Sequence, residues 1–233
     1  MYKYETHLHT LPASLCAKVW VREALEFYKS IGYDGVFITN HFLDGNTAIS
    51  DRLPYEERVN IYFEDVEEGR EIGEEIGIKV FSGVEMSYMG TDFLVYGLEK
   101  EWYAEHPEIM EMTKREEMAF LMENGAFIVQ AHPFREAKYI DHIRLFPKSV
   151  NAVEVCNASM INKCPTANVM ADYYADQYGL LKIAGSDNHV GERIKVLAGI
   201  ETDTPAEDEK ELIEMIRAGK ARLFTMENPL TKE

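Results

Sequence analysis

The sequence is poor in cysteine and contains no long apolar run. Its three cysteines, Cys16, Cys156 and Cys164, are odd in number and form no Cys-x-x-Cys pair, which argues against a disulfide framework and a thiolate zinc cluster. No stretch approaches about 18 consecutive apolar residues, and the N-terminus lacks a basic segment followed by an apolar one, so we expect neither a membrane span nor a signal peptide. These absences predict a cytoplasmic protein with reduced thiols and no membrane partner.

Positive charge is also scarce. Lys and Arg total 24 against 41 Asp and Glu, which gives a formal net charge of -17. Such a chain repels phosphate backbones, so we expect no long nucleic acid as a partner. An acidic protein that acts on small anions needs metal ions to reverse the sign of its site.

Linkers, low-complexity segments and internal repeats are absent from the sequence. The chain has 233 residues, of which 46% are hydrophobic, and this predicts one domain over residues 1–233, within the size range of an α/β barrel. Short β-branched or apolar runs alternate with longer amphipathic segments from end to end. This alternation is typical of βα units around a mainly parallel sheet.

Helices and strands can be placed from these segments. The predicted helices are "VWVREALEFYKSIG", "EERVNIYFEDVEEGREIGEEIG", "EIMEMTKREEMAFLMENG", "ANVMADYYADQYG" and "AEDEKELIEMIRAG", the last opened by Thr204 and Pro205. The predicted strands after the first are "GVFIT", "IKVFSGVEM", "DFLVYG", "AFIVQAH", "VNAVEVCN", "LLKIAGSDNH" and "ARLFT".

Histidines and carboxylates collect where the predicted strands end. His7 and His9 end the first strand, and their spacing puts both on one strand face. The other residues of this kind are His41, Glu85, His132, Asp187 and His189, with Asp92 at the start of its strand. In parallel βα architectures, ligands and catalytic groups collect at the carboxyl ends of the strands. Five of the seven histidines lie there, so chance placement of the whole set is a weak explanation.

The residue types indicate divalent cations. Mixed imidazole and carboxylate ligands suit Zn, Mn or Fe, whereas Mg and Ca favour oxygen ligands alone. Glu85 follows an apolar strand, where burial would raise the pKa of an unpaired carboxylate. A cation, especially one shared with a second cation, would keep it ionised. The alternative for Glu85 is a carboxylate that caps a helix or pairs with an arginine.

In their order along the chain these residues resemble the PHP (polymerase and histidinol phosphatase) superfamily of metal-dependent phosphoesterases. The motifs are "ETHLHT", "TNH", "GVEMS", "AHP" and "GSDNH", which together span residues 5–189. The resemblance implies a distorted (β/α)7 TIM-like barrel with two or three divalent metal ions, Zn, Mn or Fe, at the carboxyl ends of its strands. It also implies three ligand sets: His7, His9, Glu85 and Asp187 for the first cation, Glu85, His132 and Asp92 for the second, and His41 and His189 for the third.

Two positions depart from the family pattern. Glu5 replaces the usual Asp of the opening motif, and we expect its carboxylate to orient one of the histidines. Relatives with three cations have a further His or Asp in the loop after the first strand, but the loop "TLPASLCAKVW" contains neither. Cys16 is its only soft ligand, so the third cation is bound by a thiolate, loosely bound or absent. Simple packing of Cys16 is the other interpretation.

The implied activity is hydrolysis of a small phosphorylated substrate similar to histidinol phosphate, by a water that the cations activate to hydroxide. Arg135 is the candidate for clamping a phosphate oxygen, unless it is a surface arginine paired with an acid. Arg193 is a weaker candidate for the same role. His41 and His189 are candidate proton donors to the leaving alkoxide if no third cation occupies them. Asn40, Glu154 and Asn157 are further possible substrate contacts.

Three other functions remain open at this stage. One is a phosphodiesterase that acts on nucleotides or short oligonucleotides, and another is an amidohydrolase-type barrel, which shares the His-x-His motif and a late Asp. The third is a metal-binding regulatory module without catalysis. The pairing of Asp187 with His189, and the position of His41 after the second strand, favour the phosphoesterase pattern.

Overall fold

One sheet of nine strands forms the centre of the fold in the computed structural model, which describes residues 1–231. The strands are β1 (Tyr2–Leu8), β2 (Gly35–Ile38), β3 (Lys79–Tyr88), β4 (Thr91–Tyr96), β5 (Phe127–Ala131), β6 (Ala152–Asn157), β7 (Leu181–Gly185), β8 (Val196–Thr202) and β9 (Arg222–Glu227). Their order in the sheet is β7-β6-β5-β4-β3-β2-β1-β8-β9. Because β7 also lies against β8 and β1, the sheet is a nearly closed barrel, which confirms the predicted TIM-like fold.

The sheet is mixed rather than uniformly parallel. β4 runs antiparallel to β3 and β5, and β8 runs antiparallel to β1 and β9; the other seven strands share one direction. Only Met89 and Gly90, both with positive φ, separate β3 from β4. A two-residue connection can join only antiparallel strands. The start of β4 therefore lies at the same end of the barrel as the carboxyl ends of the parallel strands.

Seven helices surround the sheet in the described residues, and none of them is long and apolar enough to cross a membrane. They are α1 (Val21–Ser30), α2 (Tyr55–Ile76), α3 (Lys100–Glu105), α4 (Lys114–Glu123), α5 (Ala158–Ile161), α6 (Pro165–Tyr178) and α7 (Glu209–Arg217).

The prediction was wrong for the starts of two helices. The helix expected from residue 108 begins at Lys114, because Thr113 and Glu116 form a capping box there. The last helix begins at Glu209 instead of after Pro205, because the Asp208 carboxylate accepts a hydrogen bond from the Glu211 N–H at 2.8 Å. In both cases a later polar residue satisfies the free N–H groups of the first turn.

An apolar cluster lies at the end of the barrel where the parallel strands begin. Tyr4 and Phe127 of the sheet belong to it, together with Leu212, Ile213 and Ile216 of α7, and all five are buried. Burial of side chains of this size stabilises a fold by about 1.5–3 kcal/mol each. This cluster anchors the sheet at one end, and the histidines lie at the other.

Candidate metal centre

The structure brings seven of the eight predicted ligands together at one end of the barrel. His7 lies in β1 and Glu85 in β3, and the other five follow β1, β2, β5 or β7 by one to four residues. Three groups have donor atoms that all lie within 4.8 Å of one another: His7, Glu85 and His132; His7, His9 and Asp187; and His9, Cys16, His41 and His189. Apart from Asp92, every ligand implied for the first and second cations occurs in the first two groups, and His7 belongs to both.

Glu85 lies at the centre of the cluster and is 1% exposed. Its carboxylate oxygens are 2.8 Å from His41 Nδ1, 3.2 Å from His7 Nε2 and 3.4 Å from His132 Nε2. Neither oxygen receives a hydrogen bond with acceptable geometry from any group among residues 1–231. A buried carboxylate without a donor is costly, and a cation between it and the imidazoles would remove that cost. The alternatives for Glu85, a helix cap or an arginine pair, do not occur.

Hydrogen bonds fix the tautomers of the first two histidines. His7 Nδ1 lies 2.9 Å from Glu154 Oε1. His9 Nδ1 lies 3.1 Å from Ser14 Oγ, whose own proton goes to Asn40 Oδ1 at 2.9 Å. In each case the partner accepts, so Nδ1 carries the proton and Nε2 is left with its lone pair.

The two free lone pairs point at each other. His7 Nε2 and His9 Nε2 are 3.1 Å apart, and each is 3.5 Å from Asp187 Oδ1. Two nitrogen acceptors and a carboxylate at these distances require a cation or protons between them. The donor set of imidazoles and carboxylates fits Zn, Mn or Fe. The residues present therefore fit the cations that the sequence motifs imply.

The charges of the cluster are compensated by protons when no cation is bound. Burial would lower the pKa of His7, but Glu154, Asp187 and Glu85 raise it well above its usual value. Burial likewise opposes ionisation of Asp187, but the charges of His7 and the other histidines lower its pKa. The pKa of His41 rises to about 10 because the charge of Glu85 outweighs burial. Cation binding must displace these protons, so metal affinity should fall at low pH.

Backbone strain is concentrated at two of the ligands. His132 and Asp187 have φ values of 26° and 52°, in the positive region that residues other than glycine rarely adopt. Each follows the end of a strand, β5 or β7, and turns back into the cluster. Strained residues of this kind are maintained by their surroundings and are common at functional sites. His132 is held by its N–H, which donates to Glu154 Oε2 at 3.0 Å.

Asp92, the eighth predicted ligand, lies at the edge of the cluster. Its Oδ2 is 3.9 Å from His132 Nε2 but 2.7 Å from Arg135, and its Oδ1 accepts a hydrogen bond from Ser87 at 2.7 Å. Its assignment as a ligand of the second cation stays a prediction. Arg135 is thus paired with an acid, as the alternative interpretation proposed, yet it also lines the cavity beside the histidines. Arg193 lines a different cavity.

A cavity of about 350 Å³ opens onto the cluster. Its wall contains Cys16, His41, Asp92, Arg135 and His189, with further residues of the β2 and β3 loops. Burial would raise the pKa of the Cys16 thiol, but His189 and His41 lower it to about 6. The cavity therefore joins the candidate cation ligands and the candidate phosphate clamp in one space.

Glu5 is a supporting residue of a different kind from the one expected. It is fully buried, and its carboxylate accepts hydrogen bonds from the backbone N–H groups of His7 and Ser186 and from the Tyr28 hydroxyl, at 2.8–2.9 Å. Its carboxylate forms no hydrogen bond with an imidazole nitrogen in the described residues and instead joins β1 to the end of β7. Of the two opening histidines, Glu5 thus holds His7, through the backbone N–H and not through the ring.

Asn40, Glu154 and Asn157 bind other protein groups in the structure. Glu154 orients His7, and Asn157 Nδ2 donates to Glu154 at 2.9 Å and to Asp187 at 3.2 Å. Asn40 donates to Asp65 at 2.8 Å and accepts from Ser14. These three residues therefore position the candidate metal ligands. The sequence analysis interpreted them as substrate contacts and did not predict this supporting role.

Sequence reasoning also missed Ser14 and Asp65. Asp65 is 2% exposed, and burial raises its pKa to about 6, although Thr10 and Asn40 oppose the rise. A signal was available, because Asp65 lies on the same face of α2 as the buried Tyr62 and Val66. A carboxylate on an apolar helix face indicates a buried polar partner. For Ser14, which lies in an irregular loop, no pattern in the sequence was available.

Comparison with known proteins shows a related fold. The PHP-associated family model matches residues 165–221. A two-domain protein from Bacteroides vulgatus that contains a predicted PHP-like metal-dependent phosphoesterase superposes with a TM-score of 0.70 at 15% identity. The chain has the PHP-type barrel fold. The superposition covers 96% of this chain and 64% of that protein, so the chain spans less than two thirds of its length.

Two further structures cover almost the whole of both chains. A protein from Bifidobacterium adolescentis described as a metal-dependent phosphoesterase matches at 14% identity, with a TM-score of 0.58 and 92% and 95% of the two chains covered. An amidohydrolase from Chromobacterium violaceum, with bound sulfate and no metal, matches at 12% identity, with a TM-score of 0.55 and coverage of 94% and 97%. No curated protein is significantly similar to this chain in sequence. These structures show the barrel fold that the resemblance implies.

Proposed function

We propose that the chain is a metal-dependent phosphoesterase that hydrolyses a small phosphomonoester. The observation that carries this proposal is Glu85, a buried carboxylate without hydrogen-bond donors that is surrounded by imidazole nitrogens. The PHP-like phosphoesterases with the same fold support it.

Two or three divalent cations would be held by the three groups of ligands. His7, His9 and Asp187 would hold one cation, and His132 would hold a second, with Glu85 shared between them. When bound, such cations neutralise phosphate charge and make water a stronger nucleophile. Glu154 and Ser14 would keep the Nε2 atoms of His7 and His9 available by accepting their Nδ1 protons.

Arg135 would bind the phosphate of the substrate. Its guanidinium is at the cavity wall and lies 2.7 Å from Asp92, while its Nε is buried without a hydrogen-bond partner in the described residues. A phosphate oxygen at the cavity wall would supply the missing acceptor. In a centre with two cations, protonated His41 or His189 would give the leaving alkoxide its proton.

The cavity favours a small substrate. A volume of about 350 Å³ is near the lower limit for sites that enclose a small molecule. A phosphomonoester similar to histidinol phosphate fits this size, whereas the net charge of -17 disfavours long nucleic acids. A cytoplasmic location, where the three free cysteines would stay reduced, is part of the same proposal.

An amide is the second substrate class to be tested, because the amidohydrolase from Chromobacterium violaceum shares the fold. Phosphate esters are favoured because Arg135 provides a guanidinium beside the proposed cations.

The proposal is tested by measuring phosphate release together with metal content. The purified protein is assayed on histidinol phosphate, nucleoside monophosphates, sugar phosphates, a generic phosphodiester and a set of amides. We expect selective release from a phosphomonoester and two or three equivalents of metal. His132→Ala should lower the activity more than about 100-fold and remove about one equivalent of metal.

His142→Ala is the matched control, because this histidine is exposed and lies outside the cluster. This variant should change neither the rate of phosphate release nor the metal content. Full activity of His132→Ala would contradict the assignment of the site. Hydrolysis of amides or diesters in preference to monoesters would replace the proposed function.

A further inference from the structure

Cys16 lies with three histidines in a group that the other two ligand sets do not explain. One donor atom from each of His9, Cys16, His41 and His189 lies within 4.8 Å of the others. The thiol is in the loop after β1, which folds back over the cluster. Two hydrogen bonds hold the loop there: the Ser14 hydroxyl donates to Asn40, and the Leu15 N–H donates to the Asn46 carbonyl at 3.0 Å. The loop therefore aims a sulfur at imidazole nitrogens.

The surroundings of Cys16 differ from those of a cysteine that only packs. All three cysteines are half-buried, so their surroundings rather than their burial distinguish them. Cys16 lines the cavity together with His41 and His189. Cys156 packs against Ala158, Ala184 and Ala198, as a small apolar side chain does.

The histidines of this group have nitrogens that could reach a ligand. The Nδ1 atom of His189 donates to the Asp187 carbonyl at 3.0 Å, which leaves Nε2 with its lone pair. His41 is 9% exposed, and its Nδ1 lies 2.8 Å from a Glu85 oxygen without forming a hydrogen bond of acceptable geometry in the described residues. His9 directs its Nε2 to within 3.1 Å of His7 Nε2, so it belongs first to the neighbouring group.

We propose that Cys16, as a thiolate, binds a divalent cation together with His41 and His189, at a position next to the two cations held around Glu85. The inference rests on the proposed function, because it assigns the sulfur of Cys16 as a ligand of the third cation in the same centre. Three protein ligands and an open position that faces the cavity are the arrangement of catalytic zinc sites. The site would take Zn, Fe(II) or Co(II) in preference to Mn or Mg, because thiolate is a soft ligand.

Occupation of this site changes the role of two histidines. A cation bound by His41 and His189 removes both imidazoles from proton transfer, because their lone pairs are engaged. The cation itself then faces the substrate cavity beside Arg135. The proton that the leaving oxygen needs must in that case come from water.

Cobalt provides a direct readout of the sulfur ligand. The metal-free protein, prepared with a chelator, is titrated with Co(II), and thiolate-to-cobalt charge-transfer absorption is recorded in the near ultraviolet. We expect this band in the unmodified chain and its loss in Cys16→Ser. For Zn(II), we expect Cys16→Ser to weaken one binding step by at least about tenfold, since loss of a direct ligand costs no less than loss of an outer partner.

Cys164→Ser is the matched control, because Cys164 precedes α6 and belongs to none of the three donor groups. This variant should retain the thiolate-to-cobalt charge-transfer band. Circular dichroism shows whether each variant is folded. If Cys16→Ser is unfolded, the comparison is replaced by alkylation of Cys16 in the unmodified chain, which bound Zn(II) should slow. Absence of the band in the unmodified chain, its persistence in Cys16→Ser, or alkylation of Cys16 at an unchanged rate would overturn the inference.

Failure of the proposed function gives a different result. A chain that shows the cobalt–thiolate band but releases no phosphate from any substrate retains the Cys16 site and loses the phosphoesterase assignment. A chain that releases phosphate and lacks the band retains the assignment and loses the site.

Discussion

Each end of the barrel contains a buried glutamate, Glu209 at one end and Glu85 at the other, but their charges are compensated in different ways. At the end where the parallel strands begin, Arg70 binds Glu99 through two hydrogen bonds of 2.9 and 3.1 Å and lies 3.8 Å from Glu209. At the other end, both oxygens of Glu85 lack a donor in the described part of the chain, and Glu85 has imidazoles as its neighbours. The first cluster contains an arginine that pairs with its acids, whereas Glu85 has only imidazoles beside it and requires cations or extra protons.

This difference locates the candidate site better than cavity size does. The cavity beside Arg70 measures about 710 Å³, twice the volume of the cavity at the histidines. In its wall Arg70 pairs with Glu99 and Lys79 with Glu207, and none of its lining residues has a buried side-chain polar atom without a hydrogen-bond partner in the described part of the chain. Buried polar atoms without hydrogen-bond partners are rare in folded proteins unless something binds to them.

The largest effect is expected from removing the charge of Glu85. Glu85→Gln keeps the size of the side chain but replaces the shared carboxylate by a neutral amide among the imidazoles. We expect the phosphoesterase activity to fall more than about 100-fold, with loss of bound metal. The measurements are kcat on the identified substrate and elemental analysis. Glu99→Gln makes the same change at the opposite end, and an equal loss of activity there would remove the contrast between the two clusters.

A smaller effect is expected from Glu154→Gln. The carboxylate of Glu154 accepts a hydrogen bond from His7 Nδ1 at 2.9 Å and so orients the imidazole ring. Glu154 itself belongs to none of the three donor groups. Replacement of a carboxylate that orients a metal-binding histidine weakens binding by about 10- to 100-fold. Competition with a chromophoric chelator measures the affinity.

Asp203→Asn serves as the control for this variant, because Asp203 forms an exposed ion pair with Arg222 at 2.7 Å, remote from the histidines. Its metal affinity should match that of the unmodified chain. Unchanged affinity of Glu154→Gln would show that His7 does not depend on this partner.

The parts of the molecule that sequence predicted well are those that local patterns determine. The βα alternation gave the barrel, and seven of the eight proposed ligands meet because the carboxyl ends of parallel strands converge. β8 was missed, although "VLAGIET" is apolar and buried, because it follows β7 by a connection with no helical pattern. The antiparallel direction of β4 was also missed, although the two-residue gap before it requires that direction.

The supporting residues were harder to predict, because their partners are remote in the sequence. Ser14 contacts Asn40, and Glu5 contacts Ser186, which is 181 residues away. Such pairs depend on how loops fold over the end of the barrel, and hydrophobic periodicity contains no information about that. Cys16 falls in this class: its residue type allowed a ligand, but only the path of the loop after β1 brings its sulfur to His41 and His189.

The smallest expected effect concerns the pH dependence of stability at the end opposite the histidines. Burial and the neighbouring Glu99 raise the pKa of Glu209 to about 8, although Arg70 opposes the rise. The folded chain thus keeps a proton that the unfolded chain releases near its usual pKa of 4.5. Because the folded state binds more protons in this window, the contribution of Glu209 to the free energy of unfolding falls as the pH rises from about 4.5 to about 8.

Glu209→Gln removes this titration, so the decrease in stability between about pH 5 and about pH 8 should be shallower than in the unmodified chain. Urea unfolding at the two pH values measures it. Glu207→Gln is the control, since Glu207 is exposed and pairs with Lys79 at 3.1 Å, and its slope should match that of the unmodified chain. If Glu209→Gln leaves the slope unchanged, Glu209 does not keep this proton in the folded chain. The cluster at this end would then be a set of ordinary surface ion pairs, and the contrast with Glu85 would lie in burial alone.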